Sequence, residues 1–138
     1  MKKIYFACSI RGGRDDKELY KDIVEHLKPR CMLLTEIFAD QKLTSQGMNK
    51  PSADIWNTDI NWVGESDALI AEVSNPSLGV GYEIAKAEEW NKKILCLYRK
   101  QDGKKLSAMI DGSPNLRLVN YDKLPEVLDA IDLFLLEI

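Results

Sequence analysis

The feature that most constrains this chain is an alternation. Short apolar runs rich in Ile, Leu, Val and aromatic residues, at positions 3–8, 31–35, 68–72, 94–98 and 117–120, are separated by longer segments of helical period. Strand-length apolar runs spaced by helices are the pattern of βαβ units on a parallel sheet. Segment 15–27 places Leu19, Ile23, Val24 and Leu27 on one helical face, and segment 53–64 does the same with Ile55, Trp56, Ile60 and Val63. Segment 81–91 carries Ala85, Ala87 and Trp90, and segment 123–136 turns Leu124, Val127, Leu128, Ile131 and Leu135 inward. The predicted architecture is α/β: a doubly wound, three-layer Rossmann-like or flavodoxin-like domain around a five-stranded parallel sheet. Ligands of such folds bind at the carboxyl ends of the strands, where the strand order switches.

At 138 residues, with no internal repeat and no linker, the chain reads as a single domain over 1–138. Its 19 Lys+Arg against 22 Asp+Glu give a net charge of −3, and no basic block interrupts the sequence. That balance disfavours a nucleic-acid polymer or an anionic membrane as partner. Cys8, Cys31 and Cys96 lie far apart inside apolar stretches, a pattern of reduced core thiols rather than of a zinc site or a disulfide framework. The apolar start turns polar at Arg11, too short a run for a signal peptide, and no stretch has bilayer-spanning length. The expected location is the cytoplasm, or also the nucleus in a eukaryote. Residues 40–51 are polar, carry Gly47, Asn49 and Pro51, and read as a mobile loop able to cover a site.

The switch-point rule directs attention to Ser9-Ile10-Arg11-Gly12-Gly13-Arg14, which follows the first strand. Two glycines permit close backbone approach, N–H groups at a helix start attract an anion, and Arg11 or Arg14 adds charge. The same residues are compatible with an ordinary turn bearing solvated arginines. They form neither a GxGxxG fingerprint nor a Walker loop. After the third strand, the segment 72–83 supplies a second glycine-bearing connection at the same sheet edge, with Ser77, Gly79 and then Glu83 in the first turn of the following helix. There the helix dipole would favour ionised Glu83, which taken alone is more commonly a capping carboxylate than a catalytic one. Asp59 lies near Ile55, Trp56 and Trp62, where desolvation would raise its pKa and suit proton donation, although an Asp in such a place is more often simply solvated. Asp67 reads as a cap or turn residue. Two carboxylates at one anion-binding pocket point to glycosidic chemistry. His26, the only histidine, reads as a surface residue, and without a second one a metal triad or a Ser-His-Asp system has little support.

Four motifs then carry a resemblance. Tyr5-Phe6-x-x-Ser9-Ile10-Arg11-Gly12-Gly13-Arg14, Asp59-x-Asn61-Trp62, Glu72-Val73-x-x-Pro76-Ser77-Leu78-Gly79-Val80-Gly81-Tyr82-Glu83 and Leu106-Ser107-Ala108-Met109-Ile110 occur in the order found in the 2′-deoxynucleoside 5′-monophosphate N-glycosidases. These enzymes belong to the nucleoside 2-deoxyribosyltransferase superfamily, which the chain resembles from Tyr5 to its last helix. The resemblance implies hydrolysis of a deoxynucleoside monophosphate to a free base and 2-deoxyribose 5-phosphate. It implies Glu83 as the nucleophile that forms a glycosyl-enzyme ester, Asp59 as the acid that assists base departure, and Tyr5 as the group that orients both and disfavours a 2′-hydroxyl. It assigns Ser9, Ile10, Arg11, Gly12, Gly13, Arg14, Ser77 and Gly79 to the substrate phosphate. Ser107, with Ala108 and Met109, would reach that phosphate from a neighbouring subunit, so a homodimer is expected. Neither metal nor organic cofactor is expected. The family often has His where this chain has Ile37, which removes a base contact on that side and leaves Trp56 and the 40–51 loop as candidates. Alternatives kept open are a ribonucleotide (CMP-type) N-glycosidase, a deoxyribosyltransferase and a non-catalytic nucleotide-binding protein.

Overall fold

The computed structural model describes residues 1–10, 14–35 and 50–138, with Arg14 and Asp15 as backbone only. The elements run β1 (Lys3–Cys8), α1 (Arg14–Leu27), β2 (Met32–Leu34), α2 (Ser52–Glu65), β3 (Ala68–Glu72), α3 (Leu78–Glu89), β4 (Lys93–Arg99), α4 (Ala108–Asp111), β5 (Arg117–Tyr121) and α5 (Leu124–Glu137). The five described strands are all parallel, in the order β2-β1-β3-β4-β5. The α/β expectation therefore holds, and the order is that of the flavodoxin-like sheet.

Strand periodicity decides what meets what. In β1, Ile4, Phe6 and Cys8 enter the core under α1 and α5, whereas Tyr5 and Ala7 enter the core under α2 and α3. The period of two thus delivers Tyr5 to the layer that carries Asp59 and Glu83. The register pairs Cys8 with Glu72 and Glu72 with Leu97, so β1 and β3 end level with one another and β4 runs on to Arg99. Since β2 lies on one side of β1 and β3 on the other, the connections leaving β1 and β3 diverge and open a crevice between them.

Two sequence expectations need correction. Helix α3 begins at Leu78 rather than at 81, because the Ser77 side chain caps it by accepting a hydrogen bond from Val80 N at 3.3 Å. The earlier start makes Val80, Ile84 and Ala87 the buried stripe, and leaves Ala85 and Trp90 exposed. The helix stops where Asn91 takes a left-handed φ of 57°. His26 is largely covered rather than a surface residue: its Nε2 lies 2.7 Å from Asp132 Oδ1 and so ties α1 to α5. Helix α4, one turn capped by Ser107, was not anticipated. Asp67 does act locally, accepting from Lys3 N at 2.8 Å where β1 begins. The three cysteines are buried thiols, as expected. Among the described residues no helix is long and apolar enough to cross a membrane.

Candidate active site

A cavity of about 570 Å³ opens in the crevice between the end of β1, helix α2 and the start of α3. Ser9 and Ile10 line it from the residues that follow β1, Asp59 from α2, and Ser77, Gly79 and Glu83 from the β3–α3 segment. Six of the residues assigned from sequence are thus brought to one space. Tyr5 lies beneath, 1% exposed, and donates its hydroxyl hydrogen bond to Glu83 Oε2. Trp62 packs on Tyr5 with ring centroids 6.5 Å apart, which holds the phenol in place.

The electrostatics differ from the sequence expectation. Because α3 starts at Leu78, Glu83 sits in its second turn, past the reach of the helix dipole, and the capping role belongs to Ser77. Burial dominates instead: it pushes the Glu83 carboxyl up to about 7, with the Asp59 charge adding to the rise and the Tyr5 hydroxyl opposing it. Burial lifts Asp59 to about 6. Burial, then the charges of Glu83 and Asp59, raises the Tyr5 phenol, which stays a hydrogen-bond donor throughout the physiological range. Between about pH 6 and 7 the pair therefore holds one proton, chiefly on Glu83, whose carboxyl is the higher of the two. The Tyr5 donor favours the negative charge on Glu83. The minor form, with the charge on Glu83 and the proton on Asp59, is the one in which one carboxylate is free to attack while the other can supply a proton.

The remaining assigned residues fall elsewhere. Ser107 and Met109 line a second cavity of similar size, separated from the first by a shared wall of Pro76, Ser77, Leu78 and Val80. Ala108 is exposed, in the first turn of α4. Arg11, Gly12 and Gly13 lie outside the described residues, as do Ile37 and nearly all of the 40–51 segment; Arg14 is seen only as the first residue of α1.

Two features escaped the sequence reading. The Trp56 indole donates to the Tyr82 hydroxyl at 3.2 Å, so two half-exposed aromatics bridge α2 and α3 at the cavity wall. Tyr82 directly precedes Glu83, but one aromatic beside an acid is no signal by itself. The other feature is Glu72, an acid closing an otherwise apolar strand, which is 1% exposed and accepts hydrogen bonds from Ser74 and Tyr121. Its position in an apolar run was the available clue.

A family model described as nucleoside 2-deoxyribosyltransferase matches residues 4–115. The chain belongs to the nucleoside 2-deoxyribosyltransferase family. Among its relatives, a Nematostella vectensis protein with the provisional name 2′-deoxynucleoside 5′-phosphate N-hydrolase 1 is 50% identical over 116 residues, 83% of this chain and 79% of the other. The Tetraodon nigroviridis 5-hydroxymethyl-dUMP N-hydrolase is 46% identical over 115 residues, 82% of this chain and 81% of that protein. The Homo sapiens protein of the same name is 46% identical over 112 residues, 80% of this chain and 64% of that protein. Among solved structures, the Clostridium botulinum CMP N-glycosidase BcmB superposes with a TM-score of 0.71 at 20% identity, covering 96% of this chain and 99% of that one. A deoxyribosyltransferase from Bacillus psychrosaccharolyticus gives 0.68 at 14% identity, covering 92% and 90%. At these identities the two superpositions speak for the family's fold.

Proposed function

We propose that residues 1–138 act as one nucleoside 2-deoxyribosyltransferase-like domain that hydrolyses the N-glycosidic bond of 2′-deoxynucleoside 5′-monophosphates, releasing the free base and 2-deoxyribose 5-phosphate. The observation that carries this reading is the Tyr5–Glu83 hydrogen bond beside Asp59 in one cavity, within a chain 46–50% identical to relatives named as N-hydrolases of such nucleotides. Glu83 attacks C1′ as the bond to the base nitrogen breaks, and its electron pair leaves with the base, which takes the Asp59 proton. Asp59 then removes a proton from water, whose oxygen attacks C1′ and frees Glu83 from the glycosyl ester. Tyr5 holds Glu83 in its attacking position and crowds the place a 2′-hydroxyl would need. Trp56, one turn before Asp59 on α2, walls the side on which the base departs.

The phosphate is assigned to Ser9, Ile10 and the Arg11–Arg14 loop on one side and to Ser77 and Gly79 on the other. A Cβ added to Gly79 would meet only Ser77 Oγ, at 3.9 Å, so the protein's own packing does not demand glycine there. Space for a ligand does account for it. Ser107, Ala108 and Met109 of the partner subunit would complete this end in a homodimer. Two observations support that assembly: Ser107 lies across the shared wall from its own chain's catalytic cavity, and Leu78 and Met109 are 96% and 83% exposed. The proposed location is the cytoplasm.

Incubation with the canonical dNMPs, 5-hydroxymethyl-dUMP and CMP, followed by chromatography of the released base, tests the reading. Base release from deoxynucleotides that is lost in Glu83→Ala supports it. Release from none, or a preference for CMP over dCMP, overturns it.

A further inference from the structure

The two connections assigned to the phosphate are joined below the cavity by a polar chain with no part in the chemistry just described. Asp16, in the first turn of α1, is 6% exposed. Its Oδ1 lies 2.9 Å from the Arg99 guanidinium at the end of β4, and its Oδ2 accepts from the Asn75 side-chain amide in the β3–α3 connection. Asn75 also reaches the Tyr20 hydroxyl at 3.5 Å. Arg99 N donates to Ser74 Oγ at 2.8 Å, and Ser74 donates to buried Glu72 from N at 2.7 Å and from Oγ at 2.9 Å. Three elements, α1, β4 and the β3–α3 connection, thus converge on one carboxylate. Neither Asp16 nor Arg99 lines the catalytic cavity, so neither is placed to touch a substrate there.

A buried ion pair is a poor means of gaining stability, since apolar residues of similar volume do as well, but it does define one geometry. Here the geometry defined is the distance from the first turn of α1 to Asn75, two residues before Ser77. We infer that Asp16, Arg99 and Asn75 form a clamp of positioning residues that sets the gap between the first turn of α1 and the β3–α3 connection and neutralises the Asp16 charge. The inference rests on the phosphate assignment made above. Without the clamp, the first turn of α1 is no longer held at a fixed span from Ser77 and Gly79, and phosphate affinity falls while the Tyr5–Asp59–Glu83 geometry on the other core layer is preserved.

The test compares wild type with Asp16→Asn, Arg99→Gln and the double variant, measuring the calorimetric Kd for 2-deoxyribose 5-phosphate together with KM and kcat for a dNMP. Each single variant is expected to raise Kd and KM about tenfold, as for one lost hydrogen bond to a charged group, with kcat within threefold of wild type. The double variant should be no weaker than the worse single one, because both remove the same clamp. Should either charge variant fail to fold, Asn75→Ser removes only the amide bridge and is expected to show the same Kd effect. A Kd unchanged in the folded variants, or a loss confined to kcat, overturns the clamp. Wild type that neither binds the sugar phosphate nor releases base overturns the proposed function instead.

Discussion

Glu83 sits in a conflict between solvation and function. A carboxyl raised from 4.5 to about 7 by burial is costly to ionise in place, yet the proposed attack on C1′ needs the ion. The raised value means that its ionisation works against the fold as pH climbs: the favourable contribution of the neutral acid is complete below pH 4.5 and lost on passing about 7. Glu83→Gln is therefore expected to abolish base release while stabilising the protein at pH 8 by roughly 1–3 kcal/mol, measured by urea unfolding at pH 5 and pH 8, with little gain at pH 5. In the proposed mechanism Asp59 holds a proton while Glu83 has lost one, the minor of the two singly protonated forms; its population still peaks between the two values, so kcat/KM should follow a bell with its maximum between about pH 6 and 7. A profile flat from pH 5 to 9 would contradict the assigned roles. Tyr5→Phe removes the donor that eases Glu83 ionisation, so Glu83 rises further above Asp59, the basic limb should move to higher pH and kcat should fall about tenfold or more.

Helix α3 shows how the start of an element can place a site. The Ser77 cap fixes where the helix begins, and the helix then aims Glu83 into the cavity while turning Val80, Ile84 and Ala87 to the core. Ser77→Ala should cost about 1 kcal/mol of stability through the lost cap and raise KM, both readable from one preparation by thermal melting and kinetics. Gly79→Ala separates the two effects. With only an ordinary 3.9 Å contact awaiting its methyl group, it should melt no lower than wild type while weakening 2-deoxyribose 5-phosphate binding about tenfold.

At the scale of the whole molecule, a net charge of −3 is compatible with an anionic ligand because a mononucleotide needs only local N–H groups, hydroxyls and a few arginines. If Ser107 of the partner subunit completes the phosphate end, two inactive chains can rescue each other. Mixing Glu83→Ala with Ser107→Glu and allowing subunit exchange should restore roughly a quarter of wild-type activity, since half the dimers are mixed and half of their sites are intact. No recovery, or a monomer in sedimentation, would refute the shared site.

The sequence by itself determined the layer order and, among the described residues, four of the five helices and all five strands, because period and apolar run length are local properties that tertiary packing reinforced. Its motifs also named Tyr5, Asp59 and Glu83, residues far apart in the chain whose meeting follows from the parity of β1 and from the switch in strand order. What only the tertiary structure decided was environment. The raised carboxyls, the Trp56–Tyr82 bridge, the burial of His26 against Asp132 and the Asp16–Arg99–Asn75 clamp all depend on which side chains exclude water from which. Desolvation is a sum over neighbours brought together by the fold, and no stretch of the chain contains it.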